Sequence, residues 1–426
     1  MRQALSIIQW AMFILAGSVV APLAIGQAYG MTPVEIADFV QRSLFVLGVV
    51  SVLQALWGHR LPIAEGPAAL WWGVFLLFAS LAPAMGLQPR EVLPALELGL
   101  IASGLIFLAL SAFGWMDLIR RLFSPTVVGT YFLLLVAQMS GPFVTGILGA
   151  KSGAIDGKAA AISLATLIVS LVLARSRYQL LRSYSVLIAI AFGWSLFVLA
   201  GLYQKIEAPA EDWVSLPHLL SWGWPHADGG IMLTSLIVTV LLLSNLIASM
   251  EAVKRVVHPA EPVSANRSGI IMGISQLLSA AFSTIGFVPV SYTAGFILTT
   301  RMKDKWPFVM GSLLLVAVSF IPAVTLWFAS IPVSVGYASV FLSFANMIGM
   351  GIQEIAKSGL DERQGYIVGV ALMAGVGCMF LPASFLAQLP PYISPLVSNG
   401  LLMGVLICMA LERLVHSRPA SSRESE

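Results

Sequence analysis

The feature that most constrains this chain is a succession of apolar runs, each about 20 residues long, separated by short breaks that carry charge or Gly and Pro. A run of that length spans the hydrocarbon core of a bilayer as an α-helix. Inside lipid every backbone N–H and C=O must find a partner within the protein, so only helices and closed barrels can cross. The runs are too long and too unbroken for the alternating strands of an outer-membrane barrel. With 58% of its 426 residues hydrophobic and only 10% charged, the chain reads as an all-α polytopic membrane protein.

The runs fall at 4–28, 36–57, 64–85, 91–113, 123–145, 157–175 and 180–204, then at 230–253, 267–286, 289–301, 307–329, 332–353, 364–384 and 392–414. That is a first set of seven and a second set of seven, parted by the polar, Trp-rich segment 205–229. The first run continues for full membrane thickness without a small-residue cleavage site, so it reads as a span and not as a removed signal peptide.

Lys and Arg collect on the cytoplasmic side of membrane proteins. With both termini cytoplasmic in the cell (inner or plasma) membrane, 18 of the 23 basic residues fall inside. Only Arg42, Arg90, Lys151, Lys158 and Lys205 fall outside. Adding or removing one span scrambles this bias, which argues for fourteen crossings. Because seven is odd, the two sets insert in opposite orientations, as in inverted-repeat transporters.

Two proline-anchored pairs recur in the same order in both halves. In "RLPIAEGPAALWWG" Pro62 stands three residues before Glu65, and in "GFVPVSYTAGF" Pro289 stands three before Tyr292. Pro125 stands four before Gly129 in "FSPTVVG", and Pro332 four before Gly336 in "SIPVSVG". The residue before each proline is pushed towards extended geometry. Segments 3 and 10 are therefore expected to begin as short β-strands and to turn helical part-way. Unpaired backbone at membrane depth is tolerated only where protein or a cavity surrounds it, and paired broken crossings mark a transporter's substrate site. The alternative is that both prolines merely kink ordinary helices.

The half-helix N-termini after those strands would offer N–H donors and a positive dipole end to a polar ligand. Candidate substrate-binding residues are Glu65, Gly66, Ala68 and Ala69 from the first broken crossing and Ser291, Tyr292 and Thr293 from the second. Gly17, in "QWAMFILAGSVVAP", lets another backbone or a ligand come close, or simply packs. Asn245, in "LLLSNLIASM", could bond a ligand or glue helices together.

Intramembrane carboxylates need a reason to be there. Glu65 is the favoured coupling-proton site, or else the cap of the half-helix that starts near Pro67. Glu97 is expected to hydrogen-bond a neighbouring helix. Glu251 is expected to pair with Lys254 or Arg255. Every Asp and His falls in a loop or at a span end. Cys378 and Cys408 sit in apolar runs without CxxC spacing, which argues against a disulfide framework or a metal site; no metal and no cofactor are expected.

These landmarks together resemble the xanthine/uracil permease family, the nucleobase:cation symporters also called nucleobase–ascorbate transporters. The likeness is carried by Gln9, Gly17, Ser18 and Pro22 in the first span, Pro62 and Gly66 in the third, Glu97 in the fourth, "WMDLIRRLFSPTVVG" at the fifth, and Gly295, Thr300 and Arg301 in the tenth. The resemblance implies fourteen segments in a 7+7 inverted repeat. It implies a core domain (1–113 and 230–329), a gate domain (114–205 and 330–414), an extracytoplasmic linker (206–229) and a cytoplasmic tail (415–426). It also implies substrate held between the two core strands, and a homodimer. Trp10 stands where the family has its first-span His, Asn245 where it has the eighth-span acid, and Tyr292 and Thr293 where it has the tenth-span acid or amide and its Asn.

The expected function is secondary transport of a nucleobase-like solute, a purine or pyrimidine base or related ureide, by alternating access. The expected coupling ion is H+, with Na+ as the other candidate. The alternative is an anion carrier of the same fold for sulfate, bicarbonate or carboxylate. No HExxH, GxSxG or GxxxxGK pattern occurs, so an enzyme is not expected. Net charge is only +3, which gives no sign of a nucleic-acid partner.

Overall fold

The computed structural model describes residues 2–116, 124–149, 156–178, 181–182, 184–202, 213–259, 261–359, 361–386, 388–390, 393, 397 and 400–415. Of the segments predicted above, 206–212 of the linker, 416–426 of the tail and most of 391–399 in the last run lie outside these residues. So do Arg120, Arg121, Lys151, Lys205, Arg418 and Arg423.

The helices follow the apolar runs. In the first half they are α1 (Arg2–Ser18), α2 (Val20–Ala28), α3 (Pro33–Leu56), α4 (Ala69–Leu81), α5 (Leu93–Ala112), α6 (Pro125–Ile147), α7 (Gly157–Ala174) and α8 (Ser185–Leu199). In the second they are α9 (Gly229–Val257), α10 (Ala265–Ala281), α11 (Thr293–Thr300), α12 (Lys305–Ser319), α13 (Pro322–Ala329), α14 (Val333–Lys357), α15 (Glu362–Met379), α16 (Ala383–Leu386) and α17 (Gly400–Leu414). Local chemistry sets the starts. Thr32 and Glu35 bond each other's backbone N–H at the head of α3, with Pro33 in the first turn. Asp228, Ser264 and Asp361 cap α9, α10 and α15 through their side chains.

Six of the described helices are long and apolar enough to cross a membrane, or seven if the pair α12–α13, bent by 92° at Pro322, is one span. Shorter apolar helices such as Ala69–Ala79 and Ile188–Leu199 accompany them. Those following the strands are short because part of their run is extended backbone.

The extended segments are β1 (Glu65–Pro67) and β2 (Phe287–Pro289), and they pair antiparallel, with Glu65 opposite Pro289, Gly66 opposite Val288 and Pro67 opposite Phe287. Two backbone bonds flank the pair: Ala68 N donates to Gly286 O at 2.9 Å and Val290 N donates to Ala64 O at 3.0 Å. The arrangement has local two-fold symmetry, each strand ending on a proline whose successor donates to the residue that precedes the opposite strand. Proline lacks an N–H, so both prolines occupy ladder positions where no donor is needed. This symmetry matches Pro67 with Pro289. It corrects the expected pairing of Pro62 with Pro289, and with it the equivalence of Glu65 and Tyr292.

The chain forms two compact units: residues 1–120 with 141–343, and residues 121–140 with 344–426. In the first, α5 and α10 cross at bare glycines. A Cβ on Gly104 would meet the Gly273 carbonyl oxygen at 2.9 Å, and one on Gly273 would meet the Gly104 carbonyl oxygen at 2.8 Å. Close backbone approach of this kind is how helices associate where lipid removes the hydrophobic drive. In the second unit Thr126 donates to Gln364 at 2.8 Å, tying α6 to α15.

Candidate functional site

The site is built around the strand pair, wholly within the first unit. Side chains alternate across a strand, so Gly66, Val288 and Val290 share one face, and Glu65, Pro67, Phe287 and Pro289 share the other. A Cβ on Gly66 would lie 3.0 Å from the Val290 side chain and 3.5 Å from the Tyr292 hydroxyl. A Cβ on Gly17 would collide with that same hydroxyl. The front face therefore brings together Gly17 of α1, Gly66 of β1 and Tyr292, which precedes α11.

That face is open. Tyr292 keeps 42% of its surface exposed, Gly17 is exposed, and Val290 and Ser291 are half-buried. An aromatic wall stands beside it: Phe13 meets Tyr292 edge-on at 5.7 Å between ring centroids and stacks on Phe296 at 4.0 Å. Trp10, at the family's histidine position, is fully buried among Phe13, Phe296 and Phe308. It serves as packing.

Helix α9 holds the pair from one side. Asn245 Nδ2 and Ser249 Oγ both donate to the Pro289 carbonyl, at 3.3 and 2.8 Å. Helix α10 holds β2 through Gln276 Nε2, which donates to the Phe287 carbonyl at 3.0 Å. Thr293 is buried, and its hydroxyl accepts from Ala64 N at 3.2 Å. It fastens β1 to the head of α11. The N–H of Ala68 is already bonded to Gly286, and Ala69 is the half-buried first residue of α4. Neither N-cap residue, Ala68 of α4 or Tyr292 of α11, makes a side-chain cap bond; at the head of α11 the N–H groups of Thr293, Ala294 and Phe296 donate to the carbonyls of Val290, Ser291 and Tyr292.

Glu65 lies on the other face. It is 1% exposed and neither carboxyl oxygen has a hydrogen-bond partner. It does not cap α4, whose N-cap is Ala68. Its neighbour is His59, with Nε2 at 3.8 Å from Oε1 and only 1% of the residue exposed. Sequence reasoning placed His59 in a loop or at a span end, outside the embedded ionisable set. The loop instead folds inward, and the signal that could have found it is the apolar stretch Leu61–Pro62–Ile63–Ala64, all buried, that follows the histidine.

Glu97 accepts a short hydrogen bond from Ser283, in the turn that follows α10, where a bond to a neighbouring helix was expected. Arg42 of α3 is also buried, and the charges of Asp38 and Glu97 both act on it. Glu251 pairs with Lys254 at 3.4 Å.

A front face of small residues and aromatic edges, with the uncapped start of α4 beside it, suits a flat, neutral heterocycle with its own donors and acceptors. The family model Xan_ur_permease, described as a permease family, matches residues 1–384. The chain is 37% identical to "Putative purine permease YwdJ" of Bacillus subtilis, over 97% of this chain and 96% of that one. It is 24% identical to the "Uric acid transporter UacT" of Escherichia coli, over 95% and 84%. Among solved structures it resembles the transmembrane domain of the cyanobacterial bicarbonate transporter BicA, with a TM-score of 0.66 at 14% identity, covering 96% of this chain and 97% of that one. At that identity the likeness speaks for the fold alone. A match over most of the chain, with the strand pair where the resemblance requires it, shows that this multi-pass membrane protein belongs to the xanthine/uracil permease family.

Proposed function

We propose that the protein is a secondary carrier of a nucleobase, a purine before a pyrimidine or ureide, working by alternating access and driven by protons. The observation that carries this reading is the antiparallel pairing of Glu65–Pro67 with Phe287–Pro289, whose open face is lined by Gly17, Gly66 and Tyr292. Cargo is held there by first-turn N–H groups of α4, by Asn245 and by Ser291, with Phe13 and Tyr292 against its ring. Purine is preferred because relatives of the whole chain carry the names of purine and uric acid permeases. No cationic side chain among the described residues of the front face is there to receive an anion, and Arg301 lies at the far end of α11.

The same reading takes the chain as fourteen crossings in a 7+7 inverted repeat, with residues 1–113 and 230–329 as the substrate-bearing core and 114–205 and 330–414 as the gate. Both termini are cytoplasmic, the membrane is the inner or plasma membrane, and the protein works as a homodimer. Glu65 carries the coupling proton.

The test is a thermal-shift screen of purified protein against xanthine, uric acid, uracil, allantoin, sulfate and bicarbonate, followed by uptake of each hit into liposomes. Stabilisation by the purines supports the reading. Stabilisation by the anions alone overturns it.

A further inference from the structure

We propose that His59 and Glu65 form a one-proton site on the rear face of β1, separate from the cargo, and that loading this site couples the proton to transport. The proposal rests on the carrier reading above and deepens it by assigning where the proton goes and what holds its place.

The geometry is specific. Leu61 N donates to His59 Nδ1 at 3.0 Å, and a backbone N–H can only donate, so Nδ1 is the acceptor nitrogen of a neutral ring. The ring proton is therefore on Nε2, the atom that faces Glu65 at 3.8 Å. Nε2 and both Glu65 oxygens are buried and without hydrogen-bond partners. A bare carboxylate in such a place lacks the solvation it had in water, whereas a protonated carboxyl is neutral. Putting the proton on Nδ1 instead would break the bond from Leu61. Glu65 is thus the group that takes the proton, and His59 is a positioning residue whose Nε2–H is aimed at the carboxylate left when the proton departs. The step is a proton transfer: a hydronium ion gives its proton to a Glu65 oxygen, one O–H bond of hydronium breaking as one forms on the carboxyl, and the reverse transfer to water releases it.

Other charges do not intrude. β2 carries no titratable side chain, and α1 carries only Arg2, at its first residue. The charges of α3 are Glu35, Asp38 and Arg42, all in its first ten residues and about 20 Å along the helix from its end at Leu56. Arg60, next to His59, pairs outward with Glu261 at 2.8 Å. Helix α9 brings Glu251, Lys254 and Arg255, of which Glu251 pairs with Lys254, and α10 brings Arg267. A hard cation such as sodium is held by several oxygens, and the neighbour offered here is a nitrogen that already bears a proton.

The link to the cargo is short. Glu65 faces the rear and Gly66, the next residue, faces Gly17 and Tyr292. Ala64, the residue before Glu65, bonds both Val290 and Thr293. A change of charge at Glu65 therefore acts on the backbone that lines the front face.

Infrared titration of the purified full-length protein, without substrate, tests this directly. The wild type should show a protonated-carboxyl stretch that disappears towards alkaline pH. Glu65→Gln should lose it and Glu97→Gln should keep it. His59→Phe should displace the midpoint by about one pH unit, and His59→Gln, which keeps a donor for Glu65 and an acceptor for Leu61, should restore it. A band untouched by Glu65→Gln, a band removed by sodium at fixed pH, or equal midpoints in His59→Phe and wild type each overturn the proposal. Because no base is added, failure of the nucleobase screen leaves this outcome readable on its own.

Discussion

The phenolic hydroxyl of Tyr292 rests against the bare Cα of Gly17, in the space that a methyl group at position 17 would occupy. Two residues 275 positions apart in sequence thus share one niche beside Gly66, and neither can change size without the other.

Gly17→Ala should therefore lower uptake of xanthine into liposomes about tenfold, since forcing a methylene into a filled niche costs roughly 1–3 kcal/mol. Tyr292→Phe, which deletes the hydroxyl, should recover much of the loss when combined with it. Independent, additive effects in the double variant would refute the shared niche.

The Pro289 carbonyl receives both Asn245 and Ser249. Removing one donor leaves the other in place, so Ser249→Ala or Asn245→Ala alone should cost about 0.5–1 kcal/mol of stability. Removing both orphans a buried carbonyl and should cost more than the sum. Unfolding midpoints in detergent of the two single variants and the double variant check this.

Glu97→Ala should be the most destabilising of the acid substitutions, by about 3 kcal/mol. It strips Ser283 of its acceptor and leaves buried Arg42 with Asp38 alone. Pairing it with Arg42→Met should recover part of the loss, measured as a double-mutant cycle. The exposed pair Arg60–Glu261 provides the contrast: Glu261→Gln should change stability by no more than about 0.5 kcal/mol.

If the coupling proton resides on Glu65, an imposed difference of one pH unit should drive up to about tenfold accumulation of xanthine at one proton per cargo. Uptake by Glu65→Gln should ignore the gradient. A Glu65→Gln protein that still accumulates xanthine with the gradient assigns the proton elsewhere.

Much of this arrangement was legible in the sequence. The apolar runs place the helices, with ends that differ by up to about five residues at 64–85, 180–204 and 267–286, because length and hydropathy are local properties that lipid enforces. The broken crossings were legible from proline and β-branched residues around positions 62–67 and 287–290. Their mutual register was not. Spacing to the next polar residue favoured Pro62, whereas the real pairing is fixed by which N–H groups the ladder consumes, a non-local property that places Pro67 opposite β2. His59 was hidden for a similar reason: "GHRLP" looks like a polar connection, and its burial follows only from where Leu61 to Ala64 are pulled by the strand. Gly17, Gly66 and Tyr292 meet on the front face, Asn245 and Thr293 bond the strand backbone, and Glu65 faces the rear.

The strand pair has a consequence for biogenesis. Ala64 N reaches its acceptor on Thr293, 229 positions later in the chain. A nascent chain therefore brings β1 and α4 to the bilayer long before the complementary strand has been synthesised. Until then the peptide groups around residues 64–68 have no partner from the second half, and lipid cannot supply one. Insertion of that segment is complete only after translation has passed β2 and Thr293, so truncations ending before position 293 should leave β1 and α4 exposed to quality-control proteolysis.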